Sequence, residues 1–164
     1  MAENMHLKLG DIEGEDETAG YEGQIVVLGW DFGATQSATM HVSKGGGAAA
    51  VSVRDVKVVK YVDKASPNLF KLCASGEHIA SAVLACQKAA GAEQLEFFKI
   101  TMEECIISSY EVGQEVGGNE LFKETITINC ARMKTEYTPQ EGVGSGAGGI
   151  EGGWNMQKTE PFPK

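Results

Sequence analysis

The chain has 164 residues, of which 42% are apolar and 23% are charged, and its formal net charge is −9. This length suits one domain with a hydrophobic core, and the acidic balance predicts no nucleic-acid partner, because phosphate contacts need Lys or Arg. No apolar run approaches the length of a membrane span and the N-terminus lacks a signal-peptide pattern, so we expect neither membrane insertion nor a cleaved leader.

Alternating apolar residues predict two strands near the start of the chain, at 5–9 and 24–34, separated by an acidic loop at 11–22. In the second run, the residues that share the predicted core face are Val26, Leu28, Trp30 and Phe32. The opposite face carries Asp31 between two glycines, where a partner could approach closely.

A long β-segment is predicted next, with apolar side chains on both faces. Val51 and Val53 have one parity, whereas Val56 and Val58 have the other. A β-bulge, a change of sheet or burial of both faces would explain this shift.

A short helix follows that segment. Ser66 suits the N-cap position, Pro67 the first helical position, and Gly76 the position just past the C-cap. We therefore predict a helix over about Ser66–Ser75, which must dock on a sheet because so short a helix is marginal alone.

The second half of the chain is predicted to be mainly β. Propensity alone predicts a helix for the alanine-rich segment 77–90. Alternation predicts strands at 95–112 and 121–137, the glycine-rich segment 142–153 predicts a flexible loop, and 154–157 could add a last short strand.

Known catalytic and ligand-binding patterns do not match this sequence. Lys44 precedes the glycines Gly45–Gly47 and a strand follows them, whereas a phosphate-binding loop needs Lys after the glycines and then a helix. The acidic loop has the carboxylate spacing of a calcium loop, but Asp16 occupies the position that requires glycine. The histidines belong to no catalytic motif. We therefore predict no catalytic residue, no cofactor and no metal site.

The cysteines lack the spacing of a zinc site. They are Cys73, Cys86, Cys105 and Cys130. We predict buried, reduced thiols, because the chain shows no signal peptide and two of the four fall in predicted core segments.

Several sequence blocks, taken together, resemble one family. They are Met5–Glu15, Leu28–Gly33, Gly45–Gly47, Lys60–Leu69, Lys88–Gly91 and Gly153–Asn155. In order and spacing they resemble the haemolysin co-regulated protein (Hcp) family, the inner-tube protein of bacterial type VI secretion systems. The most specific block is KYVDKASPNL, at 60–69.

The resemblance implies a fold for the whole chain. We expect a single domain over 1–164, a small β-barrel of two packed antiparallel sheets with one short flanking α-helix. The resemblance also implies a strand rather than a helix at Ile79–Lys88, with tertiary context overriding local propensity.

The resemblance also implies a function, that of a structural subunit rather than an enzyme. Six copies would form a ring, rings would stack into a hollow tube, and the lumen would carry effector proteins. Spike and sheath proteins would be further partners, and the tube would move from the bacterial cytoplasm to the outside or into a target cell. A tail-tube protein of a phage-like contractile particle is an alternative, as is a monomeric β-barrel that binds a ligand or acts as a hydrolase.

Site residues follow from the same resemblance. An extended loop at about 43–50 would contact neighbouring subunits, and its candidate residues are Lys44, Gly45, Gly46, Gly47 and Ala48. Ala90, Gly91 and Gln157 are candidates for ring stacking. Asp31 matches a position that faces the lumen, where the family often carries a small polar residue, so its carboxylate would favour basic or polar cargo.

Overall fold

The computed structural model describes residues 4–38, 50–90, 93–114, 117, 121–139 and 148–164. Within these ranges the chain is mostly β-strand with one helix, and the strands pair antiparallel, which confirms the predicted fold class. The elements are β1 (Asn4–Leu9), β2 (Ile25–Val27), β3 (Gly29–Asp31), β4 (Ala34–Gln36), β5 (Val51–Val53), β6 (Val56–Tyr61), α1 (Ser66–Ser75), β7 (Ile79–Ala90), β8 (Glu93–Gly113), β9 (Lys123–Tyr137), β10 (Ile150–Asn155) and β11 (Glu160–Pro161).

The largest sheet curls around the core. Strand β8 lies between β7 and β9, β7 pairs with β1, and β1 pairs with β2. Only Leu28 separates β2 from β3, and its backbone N–H donates to the carbonyl of Val59 in β6 at 2.8 Å. Since β3 pairs with β6 and β6 pairs with β9, the chain of pairings leads back to its starting strand. The other half of β9 pairs with β10, which pairs with β11.

The enclosed core is apolar and draws on every long strand and on the helix. Its fully buried members include Leu7, Leu9, Ile25, Leu69, Leu84, Ile100, Met102, Ile126 and Ile128. Burial of this apolar surface is the main favourable contribution to folding.

The predicted core face of the second strand run is wrong at its start. Ile25 and Val27 are buried, whereas Val26 is 47% exposed and Leu28 is 37% exposed. Trp30 and Phe32 pack partly against the core. The buried face changes at Leu28, because β2 pairs with β1 whereas β3 pairs with β6. A shift of one residue moves every following side chain to the other face of the sheet.

The parity shift after Val53 is a change of sheet, which was one of the three alternatives. Strand β5 pairs with β4 in a separate two-stranded sheet, whereas β6 belongs to the large sheet. Only two residues separate the two strands, so the chain changes sheet over a very short distance.

Residues 79–90 form a strand, so the helix predicted from propensity is wrong and the strand implied by the resemblance is confirmed. Strand β7 is paired on both edges, with β1 and with β8. The buried side chains Ala82 and Leu84 flank the half-buried Val83, and the strand is buried on both faces from Leu84 to Gln87. Pairing on both edges outweighs the helical preference of alanine.

The glycine-rich segment is shorter as a loop than predicted. Strand β10 begins at Ile150, so the prediction of a loop over 142–153 is wrong for its last four residues, and 142–147 lie outside the described residues. The predicted strand at 154–157 starts earlier and ends at Asn155. Gly153 allows close packing here, since a Cβ atom would lie 2.3 Å from the carbonyl oxygen of Met133.

The helix has its predicted bounds, but its N-cap is Ala65 rather than Ser66, so the predicted cap is wrong. The backbone N–H of Ala65 donates to Asp63 Oδ1 at 2.9 Å, while the hydroxyl of Ser66 donates to Glu124. Ser66 is buried, and its hydroxyl bonds to the charged carboxylate of Glu124 instead of capping the helix backbone, because hydrogen bonds to charged acceptors are stronger. Gly76 ends the helix with φ at 66°, as predicted.

The four cysteines are not joined by disulfides. Cys86, Cys105 and Cys130 are buried, as predicted, whereas Cys73 is only partly buried. Across the described ranges, no group of three or more His, Cys, Asp or Glu side chains is placed to hold a metal ion. No helix in the same ranges has the length and apolar character needed to cross a membrane.

The acidic loop after β1 is fixed by a buried histidine. His6 contacts the carboxylate of Asp16 through Nδ1 and Gln87 Oε1 through Nε2, the latter at 2.9 Å. Tyr21 stacks on the imidazole with ring centroids 3.9 Å apart, and its hydroxyl donates to Glu96 at 2.5 Å. Burial alone would raise the pKa of Asp16, but the hydrogen bonds from His6 and Thr18 outweigh it and lower that pKa.

Replacing Asp16 with Asn should destabilise the protein by about 2 kcal/mol at pH 7, because a hydrogen bond to a charged group is lost. The pKa of Asp16 is lowered in the folded state, so its contribution is complete above the unfolded value of about 3.9 and is lost as the pH falls through the folded pKa. The difference in the free energy of unfolding between wild type and Asp16→Asn, measured in urea, should therefore become smaller below about pH 4. The control Asp11→Asn lies in the same loop, is exposed, and should match wild type at each pH. A difference in the free energy of unfolding that stays constant with pH would contradict the stabilising role of the ionised Asp16 carboxylate.

Candidate functional site

The predicted inter-subunit loop, Lys44–Ala48, lies outside the described residues, but the structure shows the two strands that flank it. Strands β4 and β5 pair from Ala34 opposite Val53 to Gln36 opposite Val51. Within the described ranges they pair only with each other, and all three residues of β4 are exposed. We call them the β4–β5 ribbon. An isolated two-stranded sheet is at best marginally stable, so this ribbon is suited to contact a further partner.

Asp31 lies at the end of β3 with an exposed side chain and forms an ion pair with Arg54 at 3.5 Å. The guanidinium of Arg54 covers Gly33, where a Cβ atom would lie 2.7 Å from it. Lys57 lies directly opposite Asp31 on β6 and is also exposed. The charge of Asp31 is therefore offset by two nearby cations, although an exposed pair of this kind adds little stability.

The same face continues as a row of polar residues across four strands. In register, Asp31 faces Lys57, Lys57 faces Thr127, and Thr127 faces Ser109. Ser109 Oγ and Thr127 Oγ1 are hydrogen-bonded at 2.6 Å. This polar row points away from the core, since Val56 and Val58 on either side of Lys57 are buried. It provides a hydrophilic surface without large apolar groups.

The stacking candidates lie at separate places. Ala90 is the last residue of β7 and pairs with Glu93 at the start of β8, while Gly91 lies outside the described residues. Gln157 is exposed and lies two residues after Asn155, the last residue of β10, which is in register with Glu103 on β8 through Arg132 on β9. The ten-residue offset along β8 corresponds to roughly 30 Å, so Ala90 and Gln157 are far apart.

An open cleft of about 670 Å³ lies beside Gln157. Arg54, Cys130 and Arg132 also line it. Arg54, the ion-pair partner of the predicted lumen residue Asp31, therefore lines the same cleft as the stacking candidate Gln157. Neither Ala90 nor any residue of the predicted loop is among the described residues that line this cleft.

The KYVDKASPNL block contributes to a buried charge network that the sequence patterns did not predict. Lys60 is fully buried and donates to Asp63 Oδ1 at 2.9 Å and to the carboxylate of Glu124. Glu124 also accepts from the hydroxyls of Ser66 at 2.7 Å and Tyr110 at 2.6 Å. We call these five residues the Lys60 network. It joins the start of α1 to β6, β8 and β9, so the block determines where the helix docks.

The ionisation of the Lys60 network follows from these contacts. Burial alone would raise the pKa of Glu124, but the hydrogen bonds from Lys60, Ser66 and Tyr110 outweigh it and lower that pKa. Burial, together with the hydrogen bond to Glu124, raises the pKa of Tyr110 to about 12. At neutral pH Glu124 is therefore an anion held by three donors, a satisfied buried charge. The signal available in the sequence was that Lys60 has the same strand parity as Val56 and Val58, because a lysine on a buried face needs an anionic partner.

The sequence model of the family described as "Type VI secretion system effector, Hcp" matches residues 6–137 of this chain. The chain belongs to the Hcp family. Protein hcp1 of Pseudomonas aeruginosa is 40% identical over 160 residues, which cover 97% of this chain and 98% of that protein. The resemblance inferred from the sequence blocks is therefore confirmed.

Solved structures agree with this assignment. The crystal structure of Hcp1 from Salmonella typhimurium has a TM-score of 0.82 and 33% identity, covering 99% of this chain and 100% of that chain. A type VI secretion system effector from Yersinia pestis has a TM-score of 0.74 and 27% identity, covering 92% and 98%. The Hcp fold therefore extends over nearly the whole chain, and the protein is a component of a type VI secretion system.

Proposed function

We propose that this Hcp chain is a structural subunit of the secretion tube. Six copies form a ring, rings stack into a hollow tube, and effector proteins travel in the lumen while sheath contraction drives the tube below its spike. The energy comes from the sheath, so this role needs no catalytic residue. The subunit assembles in the bacterial cytoplasm and leaves with the tube.

The observation that carries this proposal is the β4–β5 ribbon. Strand β4 is exposed and β5 is partly exposed, the two pair only with each other within the described ranges, and the predicted contact loop connects them. A net charge of −9 opposes self-association unless specific contacts overcome it. A ribbon that reaches from one subunit onto the next supplies such a contact, and a heterologous contact of this kind closes into a ring.

The polar row supports the lumen assignment of Asp31. Arg54 and Lys57 lie beside this carboxylate, so the local surface is not strongly acidic. We therefore favour cargo that presents polar surface over cargo selected by positive charge alone. A phage-like tail tube would share the tube architecture, but the family match favours secretion.

Deleting Gly45–Gly47 should weaken ring assembly far more than it weakens folding, because the shortened loop cannot reach a neighbour. Light scattering of the wild-type protein should give a mass near six times the 17.5 kDa chain, and the deletion should shift this mass towards the monomer. The control replaces the three glycines with three serines, which keeps the length, and should retain most of the hexamer. The far-ultraviolet circular dichroism spectrum should be unchanged for both variants, which would show that the subunits still fold.

Two results would contradict this proposal in different ways. A wild-type protein that stays monomeric at all concentrations would refute the ring. A deletion variant with the mass of the wild type would refute the contact role of the loop and leave the ring intact.

A further inference from the structure

Cys105 and Cys130 face each other across the two longest strands. They are register partners in the antiparallel β8–β9 pair, and both belong to the buried core. Directly opposed residues in such a pair have Cα atoms about 4.5–5.5 Å apart, which lies within the range of about 4.4–6.8 Å that a disulfide spans. The backbone positions of the two cysteines therefore suit a disulfide, although both thiols are free.

One of the two thiols can be reached from outside. Cys130 lines the cleft of about 670 Å³ described above, and the residue is 9% exposed, whereas Cys105 is fully buried. A small reagent in the cleft would meet Cys130 first. The cysteines outside this pair, Cys73 and Cys86, lie on α1 and β7.

The thiols remain protonated at neutral pH. Burial raises the pKa of Cys105 to about 12, with a further contribution from Cys130. Burial raises the pKa of Cys130 to about 11. Because the thiolate is the reactive form, the pair should stay reduced in a reducing cytoplasm and react slowly elsewhere.

We propose that Cys105 and Cys130 form a cross-strand disulfide when the protein meets an oxidising environment, by exchange with a low-molecular-weight disulfide such as oxidised glutathione. That the protein meets such an environment by export from the cytoplasm rests on the proposed function. The cross-link itself does not, so the two can fail separately.

The exchange takes two steps. The thiolate of Cys130 attacks one sulfur of oxidised glutathione, forming a mixed disulfide and releasing one glutathione thiolate. The thiolate of Cys105 then attacks Sγ of Cys130, which forms the protein disulfide and releases the second glutathione. The two protein thiols lose two protons and two electrons in total, and one oxidised glutathione becomes two reduced ones.

The disulfide would link β8 to β9 next to an irregularity in the backbone of β8. Glu104, the residue before Cys105, has φ at 54°, a left-handed conformation that is uncommon for a side chain of this kind. The buried residues of β8 change parity here, from Met102 to Cys105. A covalent bond beside this irregularity would hold the two strands in this geometry after the protein leaves the cell.

The test is to incubate the purified wild-type protein with oxidised glutathione and to map the disulfides by mass spectrometry without reduction. Trypsin places Cys105 in the peptide 100–123 and Cys130 in the peptide 124–132, while Cys73 and Cys86 share the peptide 72–88. We expect the first two peptides to be linked and the third to remain fully alkylated. The rate should rise about tenfold from pH 7.5 to 8.5, as the thiolate fraction does.

Thermal melting gives an independent readout. The oxidised protein should melt about 5–10 °C higher than the reduced protein, because a closed loop of this size restricts the unfolded chain. Cys130→Ser should abolish both the link and the shift, whereas Cys73→Ser should retain both. If peptides 100–123 and 124–132 stay unlinked after prolonged oxidation at pH 8.5, or if Cys73 cross-links instead, the proposal is refuted.

Discussion

Replacing Lys60 with Met is expected to destabilise the fold by about 3–5 kcal/mol, because it leaves the carboxylate of Glu124 buried without its cation. Lys60 and Glu124 are almost completely buried, and Glu124 would keep only the hydroxyl donors of Ser66 and Tyr110. Urea unfolding at pH 7 measures the loss. A loss of this size should also lower the melting temperature by roughly 10 °C.

A matched control lies on the same strand. Lys57→Met removes an exposed lysine of β6 that lies on the opposite face, and it should change the free energy of unfolding by less than about 0.5 kcal/mol. The double variant Lys60→Met, Glu124→Leu should recover much of the loss, since an apolar pair can replace a buried ion pair. If Lys60→Met unfolds like Lys57→Met, the Lys60 network does not fix the helix.

Local patterns predicted much of the fold. The helix bounds followed from Pro67 near the helix start and Gly76 at its end, because both residues act through their own backbone. Strands β1, β8 and β9 followed from the alternation of apolar and polar residues. These features depend on residues that are close together in the chain, so local sequence patterns predict them.

Features that depend on distant partners were not predictable in the same way. Propensity gave a helix for β7, whose strand conformation depends on pairing with β1 and β8. The face of β2 could not be chosen from alternation, because Val26 and Ile25 are both apolar. Only the change of partner strand at Leu28 decides between them.

The candidate site shows the same division. Asp31, Gln157 and the loop residues came from the family resemblance, since no local pattern distinguishes them. The Lys60 network was missed because Lys60 and Glu124 are 64 residues apart and meet only through the pairing of β6 with β9. The ion pair between Asp31 and Arg54 was missed for the same reason, since Arg54 lies 23 residues away in the chain, between β5 and β6.

Replacing Gly153 with Ala should destabilise the protein by about 3 kcal/mol, because the new methyl group meets backbone on two sides. A Cβ atom would lie 2.3 Å from the carbonyl oxygen of Met133 and 2.4 Å from that of Phe162. Neither oxygen can rotate away as a flexible side chain can, so β10 must shift from β9 or from the C-terminal segment. The N–H of Phe162, which donates to the carbonyl of Gly153 at 3.1 Å, should lose its protection against hydrogen exchange.

The neighbouring glycine separates this clash from the general effect of alanine in a strand. Gly152 precedes Gly153 in β10, and a Cβ atom there would meet nothing within 4 Å. Gly152→Ala should therefore leave the free energy of unfolding within about 0.5 kcal/mol of wild type. Equal stabilities for the two variants would mean that β10 yields easily at Gly153. A selective loss in Gly153→Ala would show that this glycine is required for close backbone packing, in a segment whose composition alone predicts only flexibility.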